Sequence, residues 1–560
     1  MNKKLGKQAL TSSLLVMAAG SLLLSACSNK EEKGAASPSA GASTSAAASV
    51  TPVATKGPKP KISVSIYDRN NVPEGEGTIT DNRWTKWINE NAPVQVDFIS
   101  VPRNNSSEKW NVLFASNQAP DLILEFSNPY MKDLAAKGQI IPLDDAIAKY
   151  STTYKKVLDG NPNLQKLTRY NGKTFFIARL TPFTTNHFLM IRKDWLDKLN
   201  LQMPKTTEEY VKVAQAFADQ DPDGNGKKDT FGSTFFDIDY FFGLGQSSTE
   251  PMSISSYFLQ NDQYVRTWEQ PKANIALKKQ LYDAGVVDKD IFADKNGAKA
   301  QQDFVNGKLG IWGTGGLEGS AGYSAYQTLM KNDPNAKVAI LPLPKSEFGQ
   351  FSPAGGGYMQ FTAAINATAK NVEAVMKYVD WMMSDEVQKT LAYGFEGVHY
   401  KMGADGCPKP IDAEKNKKEL SWNGDFQMLS QTGLMGKCVE FSNTLDASKP
   451  LDKAYLDLIQ QGRDAYISAD RPTSPAVVLP VTLTDDLVVI NNTAVNTITN
   501  IYTKAIVGGT GYSVDQAMKD AKDAWEKAGG KKVDDFYAKA YTDNKKDVIL
   551  TKDYYNYLKK

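Results

Sequence analysis

Residues 61–99, KISVSIYDRNNVPEGEGTITDNRWTKWINENAPVQVDFI, contain the pattern that decides the fold class. Lys61–Tyr67 alternates apolar and polar side chains, which is the period of a β-strand. Asp81–Asn91 predicts a helix, and Pro93–Ile99 predicts a second strand. A helix between two strands is typical of a parallel α/β sheet, so we expect an α/β fold.

A third, more continuously apolar strand is predicted at Ala119–Phe126, in APDLILEF. Ligands of open α/β sheets bind beyond the carboxyl ends of the strands. The end of this strand therefore makes Phe126, Ser127 and, a little further on, Tyr130 candidate ligand-binding residues.

The N-terminus has the pattern of a secretory signal. Lys3, Lys4 and Lys7 precede an apolar run, Leu14–Leu24, that is too short to span a bilayer. Residues 24–27, LSAC, resemble a bacterial lipobox, which implies cleavage after residue 26 and acylation of Cys27 with fatty-acyl chains of the palmitate type. The alternative is an ordinary signal peptide, 1–26, followed by a chance cysteine.

The next segment, 27–60, is rich in Ala, Ser, Gly, Thr and Pro, and we expect a disordered tether because it has few apolar side chains to bury. Without the three signal lysines the chain has 62 basic against 63 acidic residues, which gives no nucleic-acid-binding footprint. About 500 ordered residues exceed a single core, so at least two domains are expected.

Cys407 and Cys438 lie 31 residues apart. In an exported protein they predict a disulfide, and the alternative is two buried thiols.

Residues 221–232, DPDGNGKKDTFG, have the pattern of a metal-binding loop. Side-chain oxygens recur at Asp221, Asp223, Asn225 and Asp229, and hard oxygen ligands at alternate positions suit Ca²⁺. A metal-free turn rich in Asp and Gly is the alternative.

Several stretches together, in this order, resemble the extracellular solute-binding proteins of carbohydrate ABC transporters. The stretches are APDLILEF, MIRKDWLDKLNLQMPKTTEEYVKVAQAF (190–217), DPDGNGKKDTFG, AQQDFVNGKLGIWGTGG (300–316), GGGYMQF (355–361), WMMSDEVQKTLAYGFEGVHY (381–400) and a helical tail. The subgroup they are most similar to is the large Gram-positive lipoprotein type, which is similar to alginate-oligosaccharide binding proteins.

This resemblance implies a two-lobed periplasmic-binding-protein fold of type II, with a hinge, an interlobe cleft and a helical C-terminal tail. Lobe one would comprise 61–183 and 355–402, and lobe two 184–354 and 403–560. The resemblance also implies that one structural Ca²⁺ lies away from the cleft, bound by Asp221, Asp223, Asn225, the carbonyl of Lys227, and Asp229. Thr230 stands where the related pattern has an acidic residue, and Gly232 where a true EF-hand has Glu.

Sugar-binding clefts combine aromatic faces with a few directional polar groups. Aromatic and polar residues in glycine-rich stretches, loops and predicted lobe crossings are therefore candidate ligand contacts, and for each the alternative is a packing role. Besides Phe126, Ser127 and Tyr130 they are His187, Trp312, Tyr358, Glu396 and Trp422.

The function that the resemblance implies is capture of an oligosaccharide between the lobes and its delivery to an ABC transporter permease. We expect a monomer, tethered by its lipid anchor to the outer face of the cell membrane, without nucleic-acid partners. The chain has two histidines, His187 and His399, and neither lies in a metal-ligand or nucleophile motif, so we do not expect an enzyme. A secreted lipoprotein that cleaves polysaccharide is the alternative, because a glycosidase needs only two carboxylates.

Overall fold

The computed structural model describes residues 58–184, 187–245, 257–294, 297–353, 358–468, 470–471, 477–479, 481 and 483–553. The predicted signal peptide, Cys27 and almost all of the predicted tether lie outside these residues. Residues 58–560 form one compact unit.

The chain forms its elements in the following order. Up to residue 180 they are β1 (Lys61–Asp68), α1 (Arg83–Asn91), β2 (Gln95–Pro102), α2 (Ser106–Ala115), β3 (Leu122–Leu124), α3 (Asn128–Ala136), α4 (Asp144–Tyr150), α5 (Thr153–Asp159), α6 (Pro162–Leu167), β4 (Arg169–Tyr170), β5 (Lys173–Thr174) and β6 (Ile177–Leu180). Next come β7 (His187–Arg192), α7 (Lys193–Lys198), α8 (Thr207–Asp219), β8 (Tyr257–Gln260), β9 (Gln263–Arg266), α9 (Glu269–Asp283), α10 (Ala298–Val305), β10 (Ile311–Gly315), α11 (Ser320–Asn332) and β11 (Val338–Ile340). The last part contains β12 (Met359–Ile365), α12 (Val372–Met382), α13 (Asp385–Tyr393), β13 (Tyr400–Met402), β14 (Pro408–Pro410), α14 (Ala413–Glu419), α15 (Pro450–Tyr466), β15 (Val477–Val478), α16 (Asp485–Val507), α17 (Val514–Lys527), α18 (Lys531–Asp543) and β16 (Ile549–Leu550).

A five-stranded sheet in the order β2-β1-β3-β12-β6 organises the first half of the fold. β1 pairs in parallel with β2 and with β3, as the strand–helix–strand pattern predicts. The intervening helix α1 begins where Asn82 caps it, because Asn82 Oδ1 accepts hydrogen bonds from the backbone N–H groups of Trp84 (2.8 Å) and Thr85 (3.1 Å). A second, antiparallel sheet has the order β10-β7-β11.

Two separate hydrophobic cores define two lobes. Lobe one packs around the five-stranded sheet and lobe two around β10-β7-β11, and the C-terminal helices α16 and α17 contribute to the lobe-two core. The chain passes between the cores three times: between Leu180 and Phe188, between Leu343 and Tyr358, and between Leu429 and Leu445.

The last of these crossings corrects the predicted boundary at residue 402. The stretch after α14 forms a short 3-10 helix at Asn423–Gln427, and its side chains Trp422, Phe426, Met428 and Leu429 are buried in the lobe-one core. Lobe one therefore extends beyond the predicted boundary and includes residues up to Leu429.

A small third cluster joins Tyr264 of β9 to Tyr541 of α18 and to the β15–β16 pair. In the part of the chain that the structure describes, no helix has the length and apolar composition needed to cross a membrane.

Candidate functional site

Four strands of lobe one end at a single edge of the sheet. β1, β2 and β3 run in parallel, and β6 has the same direction as β3 because both pair antiparallel with β12. The chain leaves this edge after Leu180 and starts β7 of lobe two at His187. The carboxyl ends of the strands, where open sheets bind ligands, thus lie at the connection between the lobes.

Phe126 follows β3 at this edge and lies among aromatic and cationic groups. Its half-buried ring stacks on Tyr67, with centroids 5.9 Å apart and planes 16° apart. The guanidinium carbon of Arg179 is 5.4 Å from the centroid of the Phe126 ring and that of Arg103 is 5.7 Å from it. Arg103 also lies 4.9 Å from the ring of Tyr67. This arrangement offers an aromatic face beside cations.

Ser127 and Tyr130 form the N-terminal turn of α3 next to Phe126. The Ser127 N–H donates to Glu125 Oε1 (2.7 Å), and Ser127 Oγ accepts from the Tyr130 N–H (3.4 Å). Tyr130 Oη contacts Asn111 Oδ1 at 3.5 Å, and burial raises the pKa of the Tyr130 phenol above its usual range. Because Ser127 is exposed, its hydroxyl is accessible at the edge.

Glu125 holds this turn from the buried side through a hydrogen bond. Its buried carboxylate accepts from Trp110 Nε1 (2.9 Å) as well as from the Ser127 backbone. The direction of the chain after β3 is therefore set by a bonded carboxylate inside lobe one.

An open cavity of ≈ 800 Å³ lies at the lobe crossings. Phe183, Thr184 and Tyr358 line it at the crossings, Lys437 and Glu440 on the third connection, and Arg463 from α15 of lobe two. The Tyr358 and Phe183 rings meet edge to face, with centroids 6.3 Å apart. Tyr358, predicted as a ligand contact, thus lines a cavity between the two lobes.

His187 begins β7 on the lobe-two side of the first crossing. Its Nδ1 lies 3.0 Å from Asp237 Oδ1, and its ring lies 5.4 Å from that of Tyr240. Asp237 is fully buried, which raises its pKa, and the neighbouring His187 partly opposes this rise. Asp237 also has left-handed backbone with φ 68°. A buried carboxylate therefore lies beside the His187 ring.

Two predicted ligand contacts are core residues instead. Trp312 is 2% exposed and stacks on Phe304 of α10, with ring centroids 4.9 Å apart, because both rings belong to the lobe-two core. Trp422 is also 2% exposed, and its Nε1 donates to the Lys418 carbonyl (2.9 Å). Neither ring is accessible to a solute, so both predictions are corrected.

Glu396 lies in the exposed turn after α13, beside Phe395. The Phe395 ring packs on Trp84 and Trp87 of α1, with centroids 6.2 and 6.3 Å away. A ligand contact by Glu396 stays a prediction.

Cys407 and Cys438 are joined by a disulfide, with Sγ atoms 2.12 Å and Cα atoms 5.2 Å apart. Cys438 lies in the short 3-10 helix Gly436–Val439, and Gly436 and Lys437 line the interlobe cavity. The covalent bond therefore ties a wall of this cavity to the residues just before β14.

The loop predicted to bind metal folds around Asn225. Its Nδ2 donates to Asp223 Oδ2 (2.7 Å) and Asp229 Oδ1 (3.0 Å), and its N–H donates to Asp221 Oδ1 (3.0 Å). The Lys227 N–H donates to Asn225 Oδ1 (2.8 Å). Partial burial and the neighbouring Asp221 and Asp229 carboxylates raise the pKa of Asp223.

The predicted side-chain ligands thus converge, but a hydrogen-bonded amide lies between the carboxylates. Within the described residues, no group of three or more His, Cys, Asp or Glu side chains is arranged to hold a metal ion. The loop follows α8 of lobe two.

Sequence reasoning missed three residues of this region: Arg103, Arg179 and Asp237. Arg103 directly follows β2 and Arg179 is the penultimate residue of β6, so the strand-end rule that found Phe126 would have found both. Asp237 is one of two aspartates in the aromatic stretch 235–242, FFDIDYFF, and the sequence around it does not predict that a carboxylate is buried there.

Comparison with known proteins identifies the family. The model of the bacterial extracellular solute-binding protein family matches residues 77–389, more than half of the chain. The chain belongs to this family. Because its members bind solutes and are not enzymes, the match confirms the prediction of a non-enzymatic solute-binding protein and sets aside the polysaccharide-cleaving alternative.

Two relatives from Bacillus subtilis (strain 168) extend over most of the chain. The polygalacturonan/rhamnogalacturonan-binding protein YtcQ is 26% identical over 402 residues, which cover 69% of this chain and 76% of YtcQ. Lipoprotein LipO is 26% identical over 461 residues, which cover 80% of this chain and 86% of LipO.

Among solved structures, the alginate-binding protein AlgQ2 without calcium ion superposes with a TM-score of 0.60 at 20% identity, covering 87% of this chain and 98% of AlgQ2. At that identity the likeness shows the fold alone. It confirms the predicted solute-binding-protein fold with its C-terminal helices.

Proposed function

We propose that this solute-binding protein captures an oligosaccharide between its two lobes and delivers it to the permease of an ABC transporter. The observation that carries the proposal is the strand-end edge of lobe one, where the half-buried Phe126 ring and the exposed Ser127 lie beside the lobe crossings. An aromatic face with a few polar groups is what a sugar ring and its hydroxyls need. The name of YtcQ, a polygalacturonan/rhamnogalacturonan-binding protein, supports a carbohydrate ligand.

The three crossings supply the mechanism. A solute that contacts both lobes only in the closed form stabilises that form by its differential affinity. Phe126 and Tyr130 would act from lobe one, His187 from lobe two and Tyr358 from the second crossing. The closed pair of lobes then presents one surface to the permease, and ATP is hydrolysed on another polypeptide.

The experiment that tests the function is a thermal-shift screen of the purified protein against neutral and acidic oligosaccharides, followed by titration calorimetry. A ligand that binds the folded state alone raises the melting temperature by mass action. We expect stoichiometric binding of at least one oligosaccharide without turnover. The appearance of shortened products, or the absence of binding across the whole panel, would overturn the proposal.

We propose further that Cys27 is acylated and anchors a monomeric protein to the outer face of the cell membrane. The support is the lipobox-like sequence at 24–27 and the similarity to lipoprotein LipO. Cys27→Ala should release the protein from the membrane fraction and abolish incorporation of labelled palmitate. A variant that still pellets with membranes and still takes up the label would contradict the anchor.

We propose that the Asp221–Asp229 loop binds one structural Ca²⁺. The donor set fits a hard cation, since Asp221, Asp223 and Asp229 supply carboxylate oxygens and the Lys227 carbonyl adds a further oxygen. Rotation of the Asn225 amide would replace its Nδ2 by Oδ1 between the carboxylates, as the donor set requires. The cation would relieve the repulsion between carboxylates that share one turn.

A further inference from the structure

The arginines of this protein divide into those with a carboxylate partner and those without one. Five form ion pairs with Asp or Glu: Arg69, Arg83, Arg192, Arg266 and Arg463. Arg103 and Arg179, the two beside Phe126, have no carboxylate within ion-pair distance among the described residues.

Arg103 is partly buried and its guanidinium packs on aromatic rings. Its Nε is buried, and no described residue accepts a hydrogen bond from it. The backbone N–H of Arg103 donates to the Asp68 carbonyl (2.9 Å), which fixes the start of the side chain at the strand-end edge. The group is thus held in place but not neutralised.

Arg179 is bonded only to neutral partners in the described part of the chain. Its Nη1 donates to the Gln427 carbonyl (3.2 Å) and its Nη2 to Gln360 Oε1 (3.1 Å), while its buried Nε has no partner there. Burial lowers the pKa of the guanidinium, and Asp425 only partly opposes this effect.

The carboxylates nearby are already engaged. Asp425 holds Arg69 through two hydrogen bonds of 2.6 and 2.9 Å. Glu125 is buried and accepts from Trp110 Nε1 and from the Ser127 backbone. Neither carboxylate lies within ion-pair distance of Arg103 or Arg179.

Removing a cation from water without a counter-ion is unfavourable, and pairing with a bound anion offsets that free-energy cost. Arginine is well suited to this, since its planar fork can donate two parallel hydrogen bonds to one carboxylate. Both guanidinium carbons lie within 5.7 Å of the centroid of the same ring, so neighbouring units of one sugar chain can reach both while one unit packs on Phe126.

We propose that the solute is an anionic oligosaccharide of the uronic-acid class, whose carboxylates bind Arg103 and Arg179 beside the Phe126 ring. This inference rests on the proposed function and adds the charge of the substrate to it.

Titration calorimetry with matched probes tests the inference. The probes are trimers of galacturonate, mannuronate and guluronate, each compared with its carboxyl-reduced counterpart, in which the carboxylate becomes a neutral hydroxymethyl group. We expect at least one acidic trimer to bind ten or more times more tightly than its reduced form. Its Kd should rise with ionic strength, as for any contact between charges.

Three variants test whether Arg103 and Arg179 cause the difference in affinity between acidic and reduced trimers. Arg103→Gln and Arg179→Gln should each weaken binding of the acidic trimer at least tenfold, and by a larger factor than they weaken binding of the reduced trimer. Arg169→Gln, which removes an exposed lobe-one arginine on β4, is the matched control and should change neither. Thermal unfolding of each variant without ligand identifies any loss of fold.

The outcomes separate the two proposals. Reduced trimers that bind as tightly as the acids, or affinity for an acid that neither arginine variant changes, would overturn the anionic class and leave the oligosaccharide function standing. Absence of binding by acidic, reduced and other neutral oligosaccharides alike would overturn both.

Discussion

Replacing Phe126 by Ala tests whether the strand-end edge of lobe one is the solute-binding surface. The half-buried ring packs on Tyr67, Arg103 and Arg179, with separations of 5.9, 5.7 and 5.4 Å. The substitution removes the half-buried aromatic ring and retains Tyr67, Arg103 and Arg179.

The expected loss follows from the area and the geometry of that face. A sugar ring covering roughly 40 Å² of apolar surface contributes about 1 kcal/mol at about 25 cal/mol per Å². The specific aromatic contact contributes about a further 1 kcal/mol. The sum, about 2 kcal/mol, corresponds to a roughly thirtyfold increase in Kd.

Titration calorimetry with the best oligosaccharide of the screen measures this change, and Phe126→Leu should fall between wild type and Ala. Trp312→Phe is the control. Because Trp312 is a core residue of lobe two, this change should lower the melting temperature and leave Kd within twofold. If Phe126→Ala binds as tightly as wild type while Trp312→Phe does not, the site lies elsewhere and the reasoning from strand ends is refuted.

Three further predictions concern charged groups of lobe two. Ca²⁺ should raise the melting temperature of wild type but not of Asp223→Ala, and the two proteins should bind sugar with the same affinity. An Asp223→Ala protein that melts normally but has lost its affinity for sugar would place the ion in the binding site instead. Asp239→Asn should lower the free energy of unfolding by about 3–5 kcal/mol in urea titrations, because it removes the carboxylate whose Oδ1 lies 3.0 Å from the buried Lys278 Nζ. A change below about 1 kcal/mol would show that the pair is hydrated. Burial raises the pKa of Asp237. The stability that its proton contributes is therefore present below the ordinary pKa of about 3.9 and is lost as the pH rises through the raised pKa. Asp237→Asn should make the free energy of unfolding depend less on pH, and identical dependence in wild type and variant would contradict this.

Short-range patterns were sufficient for much of lobe one. The period-two alternation of Lys61–Tyr67 predicted β1, which extends from Lys61 to Asp68, and the predicted helix Asp81–Asn91 is α1, Arg83–Asn91. The strand-end rule then placed Phe126 and Ser127 at the carboxyl edge, because in a parallel sheet strand direction alone decides where the ends lie. Whether they contact a solute stays a prediction.

Trp312 and Trp422 show where such patterns fail. Trp312 is flanked by glycines, which indicated an approachable loop, but its ring belongs to the lobe-two core and these glycines instead let neighbours pack closely. A Cβ at Gly313 would lie 2.8 Å from Asp237 Oδ2. Trp422 stands beyond the predicted lobe boundary, and the return of the chain to the lobe-one core after α14 depends on contacts distant in sequence.

The local charge at the candidate site could not be predicted from the sequence. The balance of 62 basic and 63 acidic residues after the signal lysines suggests no preference for an anion. Which charges cancel is decided by tertiary contacts, as for Arg69 and Asp425, which pair across 356 positions. That pairing engages Asp425 with Arg69, and among the described residues no carboxylate forms an ion pair with Arg103 or Arg179 beside the Phe126 ring. A nearly neutral chain can therefore present a locally cationic cleft, and the selectivity of this protein between acidic and neutral sugars should follow the pairing of its arginines, not its net charge.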